Sequence, residues 1–260
     1  MKNAGHNPKH NGRTTIPRSR DVVASGDSSL ARSGRPANGD SLRILWYSNA
    51  PFVPTGYGTQ TAQAVTRLVK EGHEVAIHAM YGLEGVSSNW NGIKMYPRGM
   101  APYSDDVVVA HGMDWSNGNP ELPSLLMTLF DVWPLKSKSL EMVANIASWV
   151  PIDHAPCPAD VVEWCARPNV KPIAMSRFGE QMLNDADVEC FYVPHGIESV
   201  FNPDVKFVNG DKQFTGRALM GDVPDDKFVV MMNAANKGAS PSRKSFAENL
   251  LAFGIFAQDK

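Results

Sequence analysis

The feature that most constrains this chain is a strand–loop–helix–strand unit that starts near residue 42. Leu42-Arg43-Ile44-Leu45-Trp46-Tyr47 is a short apolar run rich in β-formers, the mark of a buried strand. A loop with Pro51, Pro54 and Thr55-Gly56-Tyr57-Gly58 follows, then a helical pattern carrying Ala62, Val65, Leu68 and Val69. Gly72 stands where a helix needs a C-terminal stop, and Glu74 to Met80 resumes strand character. Two strands joined through a helix form a crossover and lie parallel in one sheet. The expected fold class is therefore α/β, with a Rossmann-like parallel sheet.

The rhythm continues downstream. Strands are expected at Val107 to Ala110, Leu125 to Phe130, Trp149 to Ile152, Pro172 to Met175 and Cys190 to Val193, with helices over 159–167 and 177–186. Ligands of such sheets sit at the carboxyl ends of the strands. Beyond residue 200 a polar, Gly-containing stretch precedes a fresh apolar run, Lys227 to Met232. A last helix carries Phe246, Leu250, Phe253 and Ala257 on one face. The expected organisation is a tail over 1–40, a domain over 41–205, a linker over 206–226, and the first strand and helix of a second Rossmann-like domain over 227–260.

Charge separates the tail from the rest. Residues 1–40 carry seven Lys/Arg against three Asp, while the whole chain has a net charge of −2. That segment holds too few large apolar side chains to offset its ordering entropy, so a disordered, mildly basic tail is expected. The overall charge gives no general pull toward nucleic acid or anionic membrane. Three cysteines, Cys157, Cys165 and Cys190, do not make a disulfide framework. With no apolar h-region and no long uncharged apolar stretch, a reducing, cytoplasmic setting is expected.

Several groups suggest chemistry. Gly56-Tyr57-Gly58 lies between a strand and a helix, where it is either a plain tight turn or a loop that lets a phosphate or sugar hydroxyl approach the helix N–H groups. Thr61 stands where a dinucleotide fingerprint needs its third Gly. Asn236 to Lys244 precedes the last helix. Arg243 and Lys244 then fall in its first turn, where the helix dipole disfavours cations unless an anion such as a diphosphate offsets them. Lys237 belongs to the same loop. Asp131 ends a strand and is either a loop anchor or a group that orients a sugar hydroxyl or acts as base. Asp153 and His154 open a loop stiffened by Pro151, Pro156 and Pro158, and His154 is a candidate base. His195 and Gly196 mark a turn that is either cleft or hinge. His111 ends an expected strand as a further cleft candidate. The spacing of His154, Cys157 and Cys165 fits no zinc pattern, so no metal is expected.

Taken in order, these motifs resemble retaining GT-B glycosyltransferases of the family 4 type, as found in bacteriophage and actinobacterial genomes. The resemblance runs from Leu42 to Lys260. It rests on Pro54 to Gly58 with Gly72 to Val75, Thr128 to Trp133, Val150 to His154, Ala174 to Gly179, Val193 to Ile197 with Phe201-Asn202-Pro203, and Ala235 to Lys244. It implies two Rossmann-like domains, the first binding acceptor and the second a UDP- or GDP-linked sugar donor. Transfer would retain anomeric configuration and need no metal. By that analogy the Gly56–Gly58 loop approaches the donor, and Arg243 and Lys244 hold its diphosphate.

Two departures qualify the resemblance. The family often has His where Phe130 stands here. Its paired glutamates, expected far into the second domain, do not occur before Lys260. The chain is thus expected to lack part of the donor half and not to turn over donor alone. Implied partners are a nucleotide sugar, an acceptor (protein, glycan, lipid or modified nucleic acid) and a separately encoded C-terminal half. The rival readings are a non-catalytic carbohydrate- or acceptor-binding module, and another Rossmann-like enzyme such as an epimerase or phosphorylase.

Overall fold

The computed structural model describes residues 41–199 and, beyond them, 201–202, 206–209, 212–214, 216–217, 220, 223–224, 226–234 and 244–258. The tail over 1–40 and the candidate residues Lys237 and Arg243 lie outside the described residues. The chain divides into two compact units, Met1–Gly196 and Ile197–Lys260.

The first unit is an α/β fold on a sheet of eight strands. In chain order it comprises β1 (Arg43–Asn49), α1 (Gly56–Lys70), β2 (Glu74–Tyr81), β3 (Ser88–Trp90), β4 (Ile93–Tyr96), α2 (Val108–Asn117) and β5 (Ser124–Leu129). A short 3-10 turn, Lys138–Met142, leads to β6 (Ile146–Val150), α3 (Ala159–Cys165), β7 (Val170–Ala174), α4 (Arg177–Asn184) and β8 (Phe191–Tyr192). The strand order is β3-β4-β2-β1-β5-β6-β7-β8. Every pairing is parallel except the β3–β4 edge hairpin. This is the Rossmann-like arrangement expected from the crossovers.

All seven residues of β1 are buried, because helices cover both sheet faces. The strand's period of two sends Ile44 and Trp46 into one apolar cluster with Val65 of α1, and Leu45 and Tyr47 into another with α2, α3 and α4 side chains. Two buried indoles find partners. Trp46 Nε1 donates to Thr61 Oγ1 at 3.1 Å, and Trp164 Nε1 to Ser148 Oγ at 2.9 Å. Gly72 ends α1 with φ at 91°, a conformation that favours glycine.

One expected strand is a helix instead. Val108 to Ala110 lies in α2, and His111 sits in that helix rather than at a strand end. Val108 is fully buried and Gly112 approaches Leu45, so the helical face of this segment rests on β1. A short apolar run does not by itself distinguish the two elements.

The second unit holds an antiparallel hairpin, β9 (Phe207–Asn209) with β10 (Lys212–Phe214), inside the segment expected to be a linker. It also holds α5 (Phe246–Gln258), as the periodicity predicts. The expected strand over 227–232 is not formed: these residues pair with no strand among the described residues, and Phe228 is 90% exposed. A strand needs a neighbouring ladder, and among the described residues none adjoins this run. No helix of the described residues is long and apolar enough to cross a membrane.

Candidate functional site

The strand order reverses direction at β1, where β2 lies on one side and β5 on the other. In open α/β sheets the crevice outside the carboxyl ends of the strands at such a point is where ligands bind. Ser48 Oγ donates to Leu129 O at 2.7 Å and fixes the ends of β1 and β5 to each other. The loops leaving those two strands carry Thr55 to Gly58 and Asp131.

At the start of α1, Thr55 accepts a hydrogen bond from the Gly58 amide at 3.0 Å, and Asn49 Nδ2 donates to the same hydroxyl at 2.9 Å. The amides of Gly56 and Tyr57 have no partner within the helix, as for any first turn. The two glycines differ. A Cβ on Gly58 would lie 2.3 Å from the Val53 carbonyl oxygen and 3.0 Å from that of Ala50, whereas a Cβ on Gly56 would meet nothing within 4 Å. Gly58 therefore serves the packing of helix on loop, and only Gly56 leaves open space toward a guest.

The Tyr57 hydroxyl reaches across to Asp131 Oδ2 at 3.4 Å. That is long for such a bond, a weak pairing that a guest hydroxyl can displace. Burial, and then the nearby Asp131 carboxylate, push the Tyr57 phenol well above its usual range. It is thus a neutral donor at physiological pH.

After β6, His154 Nδ1 lies 2.6 Å from Asp153 Oδ1, with both side chains largely exposed. A carboxylate only accepts, so Nδ1 carries the proton, and in the neutral ring Nε2 is left as an acceptor. Asp131, Trp133, Asp153, His154 and Asp160 line one cleft of about 620 Å³ between the β5 and β6 loops and the start of α3. Asp160 stands in the first turn of α3, where a carboxylate suits the helix dipole, and Lys136 Nζ lies 3.4 Å from it. Asp160 and Trp133 were not among the site residues the sequence pointed to. Asp160 carried a signal, an acidic residue directly after the Pro158-Ala159 helix start.

His195 and Gly196 lie farther along the same sheet edge. The His195 ring packs on Trp149 with centroids 4.6 Å apart, and burial lowers its pKa. Gln60 Nε2 donates to the Gly196 carbonyl at 2.9 Å and ties this segment to α1. His111 is not among the residues lining that cleft. Its ring stacks on Tyr96, and its Nδ1 meets His78 Nδ1 at 2.9 Å. Lys244 lies in the second unit, two residues before α5 and not in its first turn as the sequence suggested, because the helix starts at Phe246. Among the described residues no group of His, Cys, Asp and Glu side chains is placed to hold a metal ion.

No protein-family model matches the chain, and no curated protein matches it.

Proposed function

We propose that this chain is the acceptor-side part of a retaining glycosyltransferase that uses a nucleotide-sugar donor. The observation that supports the reading most is the approach of Tyr57 to Asp131 across the β1–β5 crevice. It joins an open helix N-terminus, suited to a donor phosphate or sugar oxygen, to a carboxylate suited to a sugar hydroxyl. In this scheme the Gly56 and Tyr57 amides bond the donor, Asp131 orients a hydroxyl, and His154 Nε2 faces the acceptor as hydrogen-bond acceptor or base.

A second reading is a carbohydrate-binding module without chemistry. It is favoured by the cleft lining, which holds three aspartates and no Lys or Arg among the described residues to meet a diphosphate. Calorimetric titration of the full chain with UDP- and GDP-hexoses decides between them. Binding that Gly56→Ala weakens supports the transferase. Absence of binding to every nucleotide sugar leaves the module.

A further inference from the structure

The geometry points to a neutral glycan as the guest of the Asp131–Asp160 cleft, with one pyranose ring laid on the exposed indole of Trp133 and its hydroxyls held by Asp131, Asp153 and Asp160. The inference rests on the carbohydrate reading of that site and narrows its acceptor to one chemical class.

Trp133 is 50% exposed, unusual for so large an apolar side chain inside a cleft. Its backbone is pinned on either side, since Val132 and Leu135 are both buried in the core. Its ring meets Tyr103 edge-on, with centroids 6.3 Å apart and planes at 61°. The indole is therefore held in place by its neighbours while half of its surface stays exposed. A flat apolar face at the wall of a polar cleft suits a guest with one C–H face and a polar rim.

The rim is matched by the carboxylates. Ionised aspartates only accept hydrogen bonds, so they suit hydroxyl donors. Each already has one partner: Tyr57 for Asp131, His154 for Asp153 and Lys136 for Asp160. The Asp160 charge is offset by Lys136, and all three keep free lone pairs. Phosphate, nucleic acid and acidic sugars meet three carboxylates on this lining, while the neighbouring Lys136 is engaged with Asp160. A cation is drawn to carboxylates and to an indole face, and of the three aspartates Asp160 is the one whose carboxylate lies beside a lysine, Lys136. A cationic peptide is accordingly the rival that the experiment must include.

The test is saturation-transfer NMR on the full chain with maltotriose, cellotriose, mannotriose and chitotriose, beside trilysine, glucose 6-phosphate and a short single-stranded DNA. At least one neutral trisaccharide binds, and saturation concentrates on the C–H protons of one ring. Trp133→Ala weakens that binding about tenfold or more, whereas Trp133→Phe, which keeps a plate, weakens it about threefold or less. Unchanged melting temperatures establish that both variants fold. Binding confined to trilysine or to the anions, no binding by any trisaccharide, or indifference to Trp133→Ala overturns the inference. Titration with UDP- and GDP-hexoses separates the two proposals. A trisaccharide that binds where no nucleotide sugar does leaves this inference standing and removes glycosyl transfer. The reverse result removes only this inference.

Discussion

His78 Nδ1 lies 2.9 Å from His111 Nδ1, and the His78 ring is fully buried between β1 and α2 side chains. Two imidazole nitrogens at that separation share one proton. One ring donates, the other accepts, and both cannot be charged together without repulsion. His78 Nε2 makes no hydrogen bond, and burial outweighs the nearby Ser104 backbone and Asp106 carboxylate that would favour a charged ring. Tyr47 packs on the His78 ring at 4.8 Å and on Phe130 at 4.7 Å, which places the pair two ring contacts from the residue before Asp131.

The pair predicts acid-sensitive stability. Burial, then the neighbouring His111, lower the His78 pKa to about 3, and burial lowers that of His111 as well. In the unfolded chain both titrate near the ordinary histidine value of about 6.5. Their contribution is thus complete above that pH and falls as the pH drops toward the folded-state values, by about 1.4 kcal/mol per pH unit for each proton taken up. Asp114, held low by Lys94 and Tyr96, titrates below this window. Chemical denaturation should show stability declining from about pH 7.5 to about 5.5. The double substitution His78→Phe, His111→Leu lowers stability overall yet flattens that decline. An equally steep decline in the double variant would remove the pair as its source.

Gly56 and Gly58 should separate folding from binding. Gly58→Ala drives a methyl group against the backbone carbonyls of Val53 and Ala50, which cannot move without shifting the β1–α1 loop. A cost of about 1–3 kcal/mol is expected, read as a lower melting temperature. Gly56→Ala meets open space and should stay within about 0.5 kcal/mol of the parent. If the α1 N-terminus receives a donor, Gly56→Ala weakens nucleotide-sugar binding while the melting curve stays in place.

The Tyr57–Asp131 approach has a spectroscopic signature. Burial is the first cause of the raised Tyr57 pKa, and the Asp131 carboxylate the second. Asp131→Asn removes only the second, so the Tyr57 phenol should ionise at lower pH than in the parent while staying above a free tyrosine. Tyrosinate absorbance, with Tyr57→Phe identifying the signal, reads this directly. Superimposable titrations would show that the two groups do not sense each other in solution.

The crossovers were legible in the sequence because each β-forming run there is bounded by its own punctuation. Gly72 closes α1 with a positive φ, and Ser176 caps α4 by accepting from the Gly179 amide. The places of Asp131, Asp153 and His154 after strand ends were legible because such ends are visible in a pattern of apolar runs. Val107 to Ala110 misled, because four apolar residues carry no period and the helical face appears only against Leu45. His111 was misplaced with them, and its partnership with His78 joins residues 33 positions apart. His78 did leave a trace, as a polar residue inside an otherwise apolar strand. The role of Gly58 was hidden because its neighbours, Val53 and Ala50, are backbone carbonyls, which no side-chain pattern records.

Asp153 should set the tautomer of His154. With Oδ1 at 2.6 Å from Nδ1, the carboxylate draws the neutral imidazole's proton to Nδ1 and leaves Nε2 bare. An asparagine at the same place can present either an oxygen or an amide group, so the preference is lost. In serine proteases the comparable change at the histidine-orienting aspartate leaves geometry intact and the wrong tautomer in place. Nitrogen-15 shifts of the His154 ring are therefore expected to report a protonated Nδ1 in the parent and a population with protonated Nε2 in Asp153→Asn. Both side chains are largely exposed, so the substitution should leave the melting temperature nearly unchanged. Any sugar-transfer activity that uses Nε2 as base falls with the tautomer rather than with the fold. Identical ring shifts in the two proteins would mean that water, not Asp153, fixes the proton, and His154 would lose its claim to a built orientation.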